Sequence, residues 1–196
     1  QLIRGKLFDQ FFSEMKGGGM LPFMDPDVYG RSLMECSSFI ASSAFPDPSI
    51  VGEGFLARLS GSTAEFMDMW KLMFMGPNLF SLEDEGKLQF QLVPALPSWF
   101  FVSDEDNSKP VEDDDGNPIV SFKMFGAIPV TYHNPGAKDI FGQVPDKYIV
   151  VTSDGKEHTY ESAFIPEDMA SRIRRVTSVK TIDAYYMNDE DDVNQS

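Results

Sequence analysis

The chain has 196 residues, enough for one domain or two small ones and for an ordinary core. Its hydrophobic share of 42% and mean hydropathy of -0.23 fit a globular protein, and no apolar run approaches the roughly 20 residues a membrane helix needs, so no membrane partner is expected. Asp and Glu number 31 against 16 Lys and Arg, and the net charge of -15 argues against a nucleic-acid partner, because a phosphate backbone demands a basic face.

The first predicted element runs from Leu2 to Met15, where Leu7, Phe8, Phe11, Phe12 and Met15 form one stripe at helical spacing. Gly17-Gly18-Gly19 should end it, and Pro22 and Pro26 keep the next stretch irregular. A second, short helix is expected over about Arg31 to Ala44, followed by a loop fixed by Pro46 and Pro48 and containing Gly52 and Gly54. Ser62-Thr63-Ala64-Glu65 then reads as a capping box. Phe66, Met69, Trp70, Met73 and Phe74 continue from it on one helical face until Gly76-Pro77.

From Lys87 the period changes from helical to alternating. Leu88 to Val93 alternates apolar and polar residues as a half-buried strand does, and further strands are predicted at Val120–Phe125, Ile128–Tyr132, Tyr148–Thr152, His158–Glu161 and Val179–Tyr186. Asp154-Gly155 predicts an antiparallel hairpin between two of them. Asp104 to Gly116 is an acidic loop, and Asn188 to Ser196 a polar, acidic tail expected to fray. The chain therefore divides into a helical part, residues 1–86, and a β-rich part, residues 87–196. Charge divides too: residues 1–98 carry a net -5 and residues 99–196 a net -10, so an anion site is better sought in the first half.

Cys36 is the only cysteine, which excludes an internal disulfide and a thiolate-rich metal site, and suits a cytoplasmic setting. No metal or cofactor is expected. His133 and His158 share no metal-ligand spacing and read as structural or surface residues. Glu35 finds no second carboxylate at an interpretable spacing, and Trp70 and Trp99 read as packing residues.

Chemistry is best placed where Arg58-Leu59-Ser60-Gly61-Ser62-Thr63-Ala64-Glu65 enters the helix. Ser60-Gly61 permits a tight turn, the first helical amides lack partners, and the macrodipole favours negative charge there. Ser60, Gly61, Ser62 and Thr63 thus have the composition of an anion cradle, while an ordinary capped helix is the default on local pattern alone. Ser37, Ser38, Ser42 and Ser43 fit either a sugar pocket or close helix packing. Arg31 and Arg58 are cations for a phosphate or surface ion-pair partners.

The span from Glu35 through Gly52 to Leu59-Ser60-Gly61-Ser62-Thr63-Ala64-Glu65 resembles the end of the catalytic barrel in the cellobiose phosphorylase-like enzymes of glycoside hydrolase family 94. Pro94-Ala95-Leu96-Pro97-Ser98-Trp99 and Val130-Thr131-Tyr132-His133-Asn134-Pro135 resemble later family segments in the same order. The runs Cys36 to Asp47 and Ala57 to Glu65 look closer to the long oligoglucan phosphorylases, a branch with members acting on β-1,2-glucans and neighbours acting on β-1,3-glucans.

The resemblance implies an α+β chain: the last helices of an (α/α)6 barrel, then a C-terminal antiparallel β-sandwich. It implies inorganic phosphate at Ser60 and Gly61, extending by helix-start physics to Ser62 and Thr63, and a β-glucan oligosaccharide contacted through Ser42 or Ser43. The family's donor-sugar Gln aligns with Ala41, its turn Thr with Ser60, and the Trp after its Ala-Ala with Glu65. The catalytic Asp and the phosphate-binding His and Arg have no counterpart here, so no catalytic residue is assigned. The start at Gln1 reads as an interior cut, with the rest of the barrel upstream as a partner; a homodimer is compatible with the reading. A hydrolase on the same barrel and a non-catalytic carbohydrate-binding module are the alternatives.

Overall fold

The computed structural model describes residues 1–19, 25–31, 37–57, 62–83, 86–102 and 111–187. The fold is mixed α+β, rich in sheet and poor in helix, and it separates into two compact units, Gln1–Met73 and Phe74–Ser196.

In the first unit α1 spans Phe8–Glu14 and buries Phe12; the chain before it is turned, not helical. Met15–Gly19 winds on as a π-helical turn, so the glycine run loosens the helix instead of stopping it. A single turn, α2, covers Pro26–Tyr29: Asp25 caps it by accepting from the Asp27 amide, and Gly30 ends it in the left-handed region at φ 68. The helix expected over 31–44 is corrected. Ser37–Ile40 is strand β1, paired antiparallel with β2, Gly54–Ala57, in the register Ser37 to Ala57 and Phe39 to Phe55. Adjacent serines favour backbone-competing bonds over helix, and the ladder to β2 supplies the alternative.

α3, Ser62–Phe74, takes in Ser62, which the capping-box reading sets just before the first turn, and it ends before Gly76, which stands at φ 86. Leu72 and Met73 are buried near its C-terminal end, and Arg4 donates to Asp68 at 2.6 Å. The side chains of Ser62 and Thr63 lie outside the described residues.

The second unit opens with the last residue of α3. The hairpin β3, Phe80–Leu82, with β4, Leu88–Phe90, precedes a short β5, Ala95–Leu96. The main strands follow: β6 Ile119–Met124, β7 Ile128–His133, β8 Ile140–Phe141, β9 Lys147–Thr152, β10 Glu157–Tyr160 and β11 Val179–Tyr185. Five of them form one sheet in the order β10-β9-β11-β7-β6, while β5 pairs with β8. The hairpin at Asp154-Gly155 is present, with β9 antiparallel to β10.

The wholly antiparallel sheet of the sequence reading needs correction, because β11 lies parallel to β7. The long connection through β8, β9, β10 and a helix allows that direction, as no hairpin can. This helix, α4 at Glu167–Arg174, escaped the periodicity reading: it has two turns and buries only Met169, Ala170 and Ile173.

Alternation gives the sheet two unlike faces. Val130, Tyr132, Tyr148, Val150, Ile182 and Ala184 are buried on one, packed in a core with Phe90, Leu92, Leu96, Met169 and Ile173. Ser121, Thr131, His133, Lys147, Asp183 and Tyr185 occupy alternate positions on the other.

Candidate functional site

The first candidate region lies in the first unit, between Tyr29 and the start of α3. The Tyr29 ring lies against Gly54, its hydroxyl donates to Ser37 Oγ at 2.8 Å, and both residues are buried. Arg31 Nε donates to the Gly54 carbonyl at 2.8 Å, so this arginine braces the hairpin. Ala41 is buried and exchanges backbone bonds with its neighbours across the turn: its amide donates to Glu53 O, and the Gly52 amide donates to Ala41 O.

Ser42 Oγ accepts from the Ala44 amide at 3.3 Å, a local turn bond. Ser43 is exposed, and its hydroxyl donates at 3.2 Å to either carboxylate oxygen of Glu14. Ser62 and Thr63 are the first two residues of α3. Ser60, Gly61, Arg58 and Glu35 lie outside the described residues. The predicted site residues are thus distributed over two features, the hairpin turn and the helix start.

A second cluster, in the second unit, was not singled out from sequence. His133 closes β7 on the polar face of the sheet yet is only 8% exposed. Its Nδ1 lies 2.8 Å from Asp113 Oδ2 and its Nε2 lies 3.1 Å from Asp183 Oδ1. The ring stacks on Tyr185, centroids 4.1 Å apart and planes 10° apart, and Lys147 Nζ sits 4.6 Å from the Tyr185 centroid. Asp183 and Tyr185 share a strand face at i and i+2, and Tyr185 is the register partner of His133, so the β11–β7 ladder fixes three of these groups.

Asp113 comes from the loop before β6, and its Oδ1 organises that loop by accepting from the amides of Asp115 and Asn117 at 3.1 and 2.8 Å. Burial raises the Asp113 pKa, but the bonds from His133 and from Asn117 outweigh it and the net shift is downward. Burial likewise disfavours charge on His133, but the Asp183 and Asp113 bonds and charges prevail, and its pKa is raised. With both ring nitrogens facing carboxylates, the protonated imidazole donates at each and has no lone pair for base or metal-ligand work. Among the described residues no group of three or more His, Cys, Asp or Glu is arranged to hold a metal ion. Sequence offered one signal for this cluster: a histidine ending an alternating strand at a polar-face position.

A cleft of about 570 Å³ lies beside α4, its lining including Glu83, Gln89, Tyr160, Glu161, Glu167 and Asp168. Its four carboxylates outnumber Lys87, the one cation of the lining, and disfavour an anion there.

No protein-family model matches the chain, and no curated protein matches its sequence. No described helix is long and apolar enough to cross a membrane.

Proposed function

We propose that the chain is the C-terminal part of an inverting glycoside phosphorylase, a cytoplasmic enzyme that cleaves β-glucan oligosaccharides with inorganic phosphate to give α-glucose 1-phosphate. The observation that carries the reading is the ordered series of segments around Glu35–Glu65, Pro94–Trp99 and Val130–Pro135. Local geometry supports it: α3 begins at Ser62, so its N-terminus comes directly after Ser60-Gly61 in the chain. Orphan amides and the macrodipole favour an oxyanion at such a point. In this reading residues 1–86 are the last helices of an (α/α)6 barrel carrying a β-hairpin insert, and residues 87–196 are a terminal β-sandwich domain with the five-stranded sheet as one layer.

Ser60, Gly61, Ser62 and Thr63 then hold the phosphate, and Ser42 and Ser43 contact the sugar, Ser43 exchanging its Glu14 bond for a sugar hydroxyl. A phosphate oxygen attacks the anomeric carbon as the glycosidic C–O bond breaks, and a carboxylic acid from outside this chain protonates the leaving oxygen. Configuration inverts because phosphate takes the place of the activated water of an inverting hydrolase.

Incubating the intact protein with β-glucan oligosaccharides should release α-glucose 1-phosphate at a rate that saturates with orthophosphate. Free glucose formed at the same rate with and without phosphate would instead assign a hydrolase. Ser60→Ala should raise the KM for phosphate about tenfold, the size of one hydrogen bond to a charged group, with a smaller change in kcat. Phosphorolysis unchanged in that variant removes Ser60 from the site.

A further inference from the structure

We infer that Asp113, His133 and Asp183 form a proton-dependent clasp that fixes the loop of residues 111–118 over the polar face of the five-stranded sheet. The inference rests on the second unit alone and is independent of the phosphorylase reading. A protonated imidazole carries two N–H donors, and here each faces a carboxylate oxygen, at 2.8 Å for Asp113 and 3.1 Å for Asp183. A neutral imidazole carries one. Loss of the proton therefore turns one of the two contacts into a lone pair facing a carboxylate, and that contact becomes repulsive.

The cluster is built to make this matter. His133 is 8% exposed, so water poorly replaces a lost partner. Asp183 belongs to the rigid β11–β7 ladder, whereas Asp113 belongs to a loop, so the loop is the part able to yield. That loop depends on Asp113 twice: its Oδ1 holds the Asp115 and Asn117 amides, and its backbone amide donates to Asn117 O at 2.9 Å. Ile119, opposite His133 on β6, continues the loop's tie through its amide bond to Val111 O at 2.8 Å.

Other charged groups reach the cluster at Tyr185 instead of the imidazole. Lys147 lies over the Tyr185 ring, and Asp115 and Glu157 act on its hydroxyl. The two carboxylates are the charges that act on His133, and both favour its protonated form. The direction of the switch follows: closed when His133 is protonated, released as pH rises through its raised pKa.

Two histidines in the chain make the test direct. Ring-labelled histidine NMR on the full chain, assigned with His158→Gln, should show His133 titrating above the ordinary value of about 6.5. Hydrogen exchange expressed as protection factors, which removes the intrinsic pH effect, should show Asn117 and Ile119 losing about tenfold protection or more across that same titration. In Asp183→Asn the amide donates to a neutral ring as readily as its oxygen accepts from a charged one, so the protection should become independent of pH while the loop stays ordered. A His133 titration at or below 6.5, protection at 117 and 119 unaffected by it, or an unaltered pH profile in Asp183→Asn would each overturn the clasp.

Discussion

At Gly54 a side chain has nowhere to go: a Cβ there would overlap the Tyr29 ring and lie 2.5 Å from Ser37 Oγ. Gly54→Ala should therefore destabilise the β1–β2 hairpin by roughly 1–3 kcal/mol, the usual cost of overpacking a filled site, read as faster hydrogen exchange at Ala41 and Gly52. Tyr132 is fully buried, and its hydroxyl donates at 2.5 Å to the Phe74 carbonyl in the last turn of α3, where helical carbonyls run out of amide partners. Tyr132→Phe should cost about 1–3 kcal/mol in the second unit by removing that donor, measured by chemical denaturation followed at the sheet. From sequence, Tyr132 was readable as an apolar strand position, and its bond to a carbonyl 58 residues earlier was not.

At the scale of elements, α4 ends in a complete Schellman arrangement. The Val176 amide donates to Ile173 O and the Thr177 amide to Arg172 O, with Val176 itself at φ 53. A β-branched residue in the left-handed region is strained, and glycine is the usual occupant. Val176→Gly should stabilise the chain by roughly 1 kcal/mol, the order of the steric penalty relieved, seen as a higher denaturation midpoint. Legibility at this scale followed element length and period. α3 has a Ser-Thr-Ala-Glu start and a full apolar face, and β6, β7, β9, β10 and β11 alternate, so each lies within a residue or so of its expected place, whereas β8, with two residues, is too short to carry a period. β1 has four residues and no period of its own, and becomes a strand because Gly54–Ala57 pairs with it. Such a partner is invisible in a local window.

Across the whole molecule, protonation linked to burial sets the pH range of stability. His133 has a raised pKa, so its contribution is fully present below its unfolded value of about 6.5 and is lost as pH rises through the folded value. Asp113 has a lowered pKa, so its contribution is present above about 3.9 and is lost as pH falls through the folded value. The clasp should hence add most between those limits, and the advantage of the native chain over His133→Ala in thermal midpoint should peak there. Burial also pushes the Tyr132, Tyr148 and Tyr186 hydroxyls well above their usual range. Absorbance at 295 nm should show these three ionising only as the chain unfolds above about pH 10.

Sequence by itself determined the change from helical to alternating period, the start of α3 to within a residue, and a charge balance hostile to nucleic acid, because each depends on neighbours within a few residues or on simple counting. Tertiary structure decided the rest: the parallel β7–β11 contact, the strand at Ser37–Ile40, and the meeting of Asp113, His133 and Asp183. Those three lie 20 and 50 residues apart, and only strand register and a loop folded across the sheet bring their charges within hydrogen-bond reach.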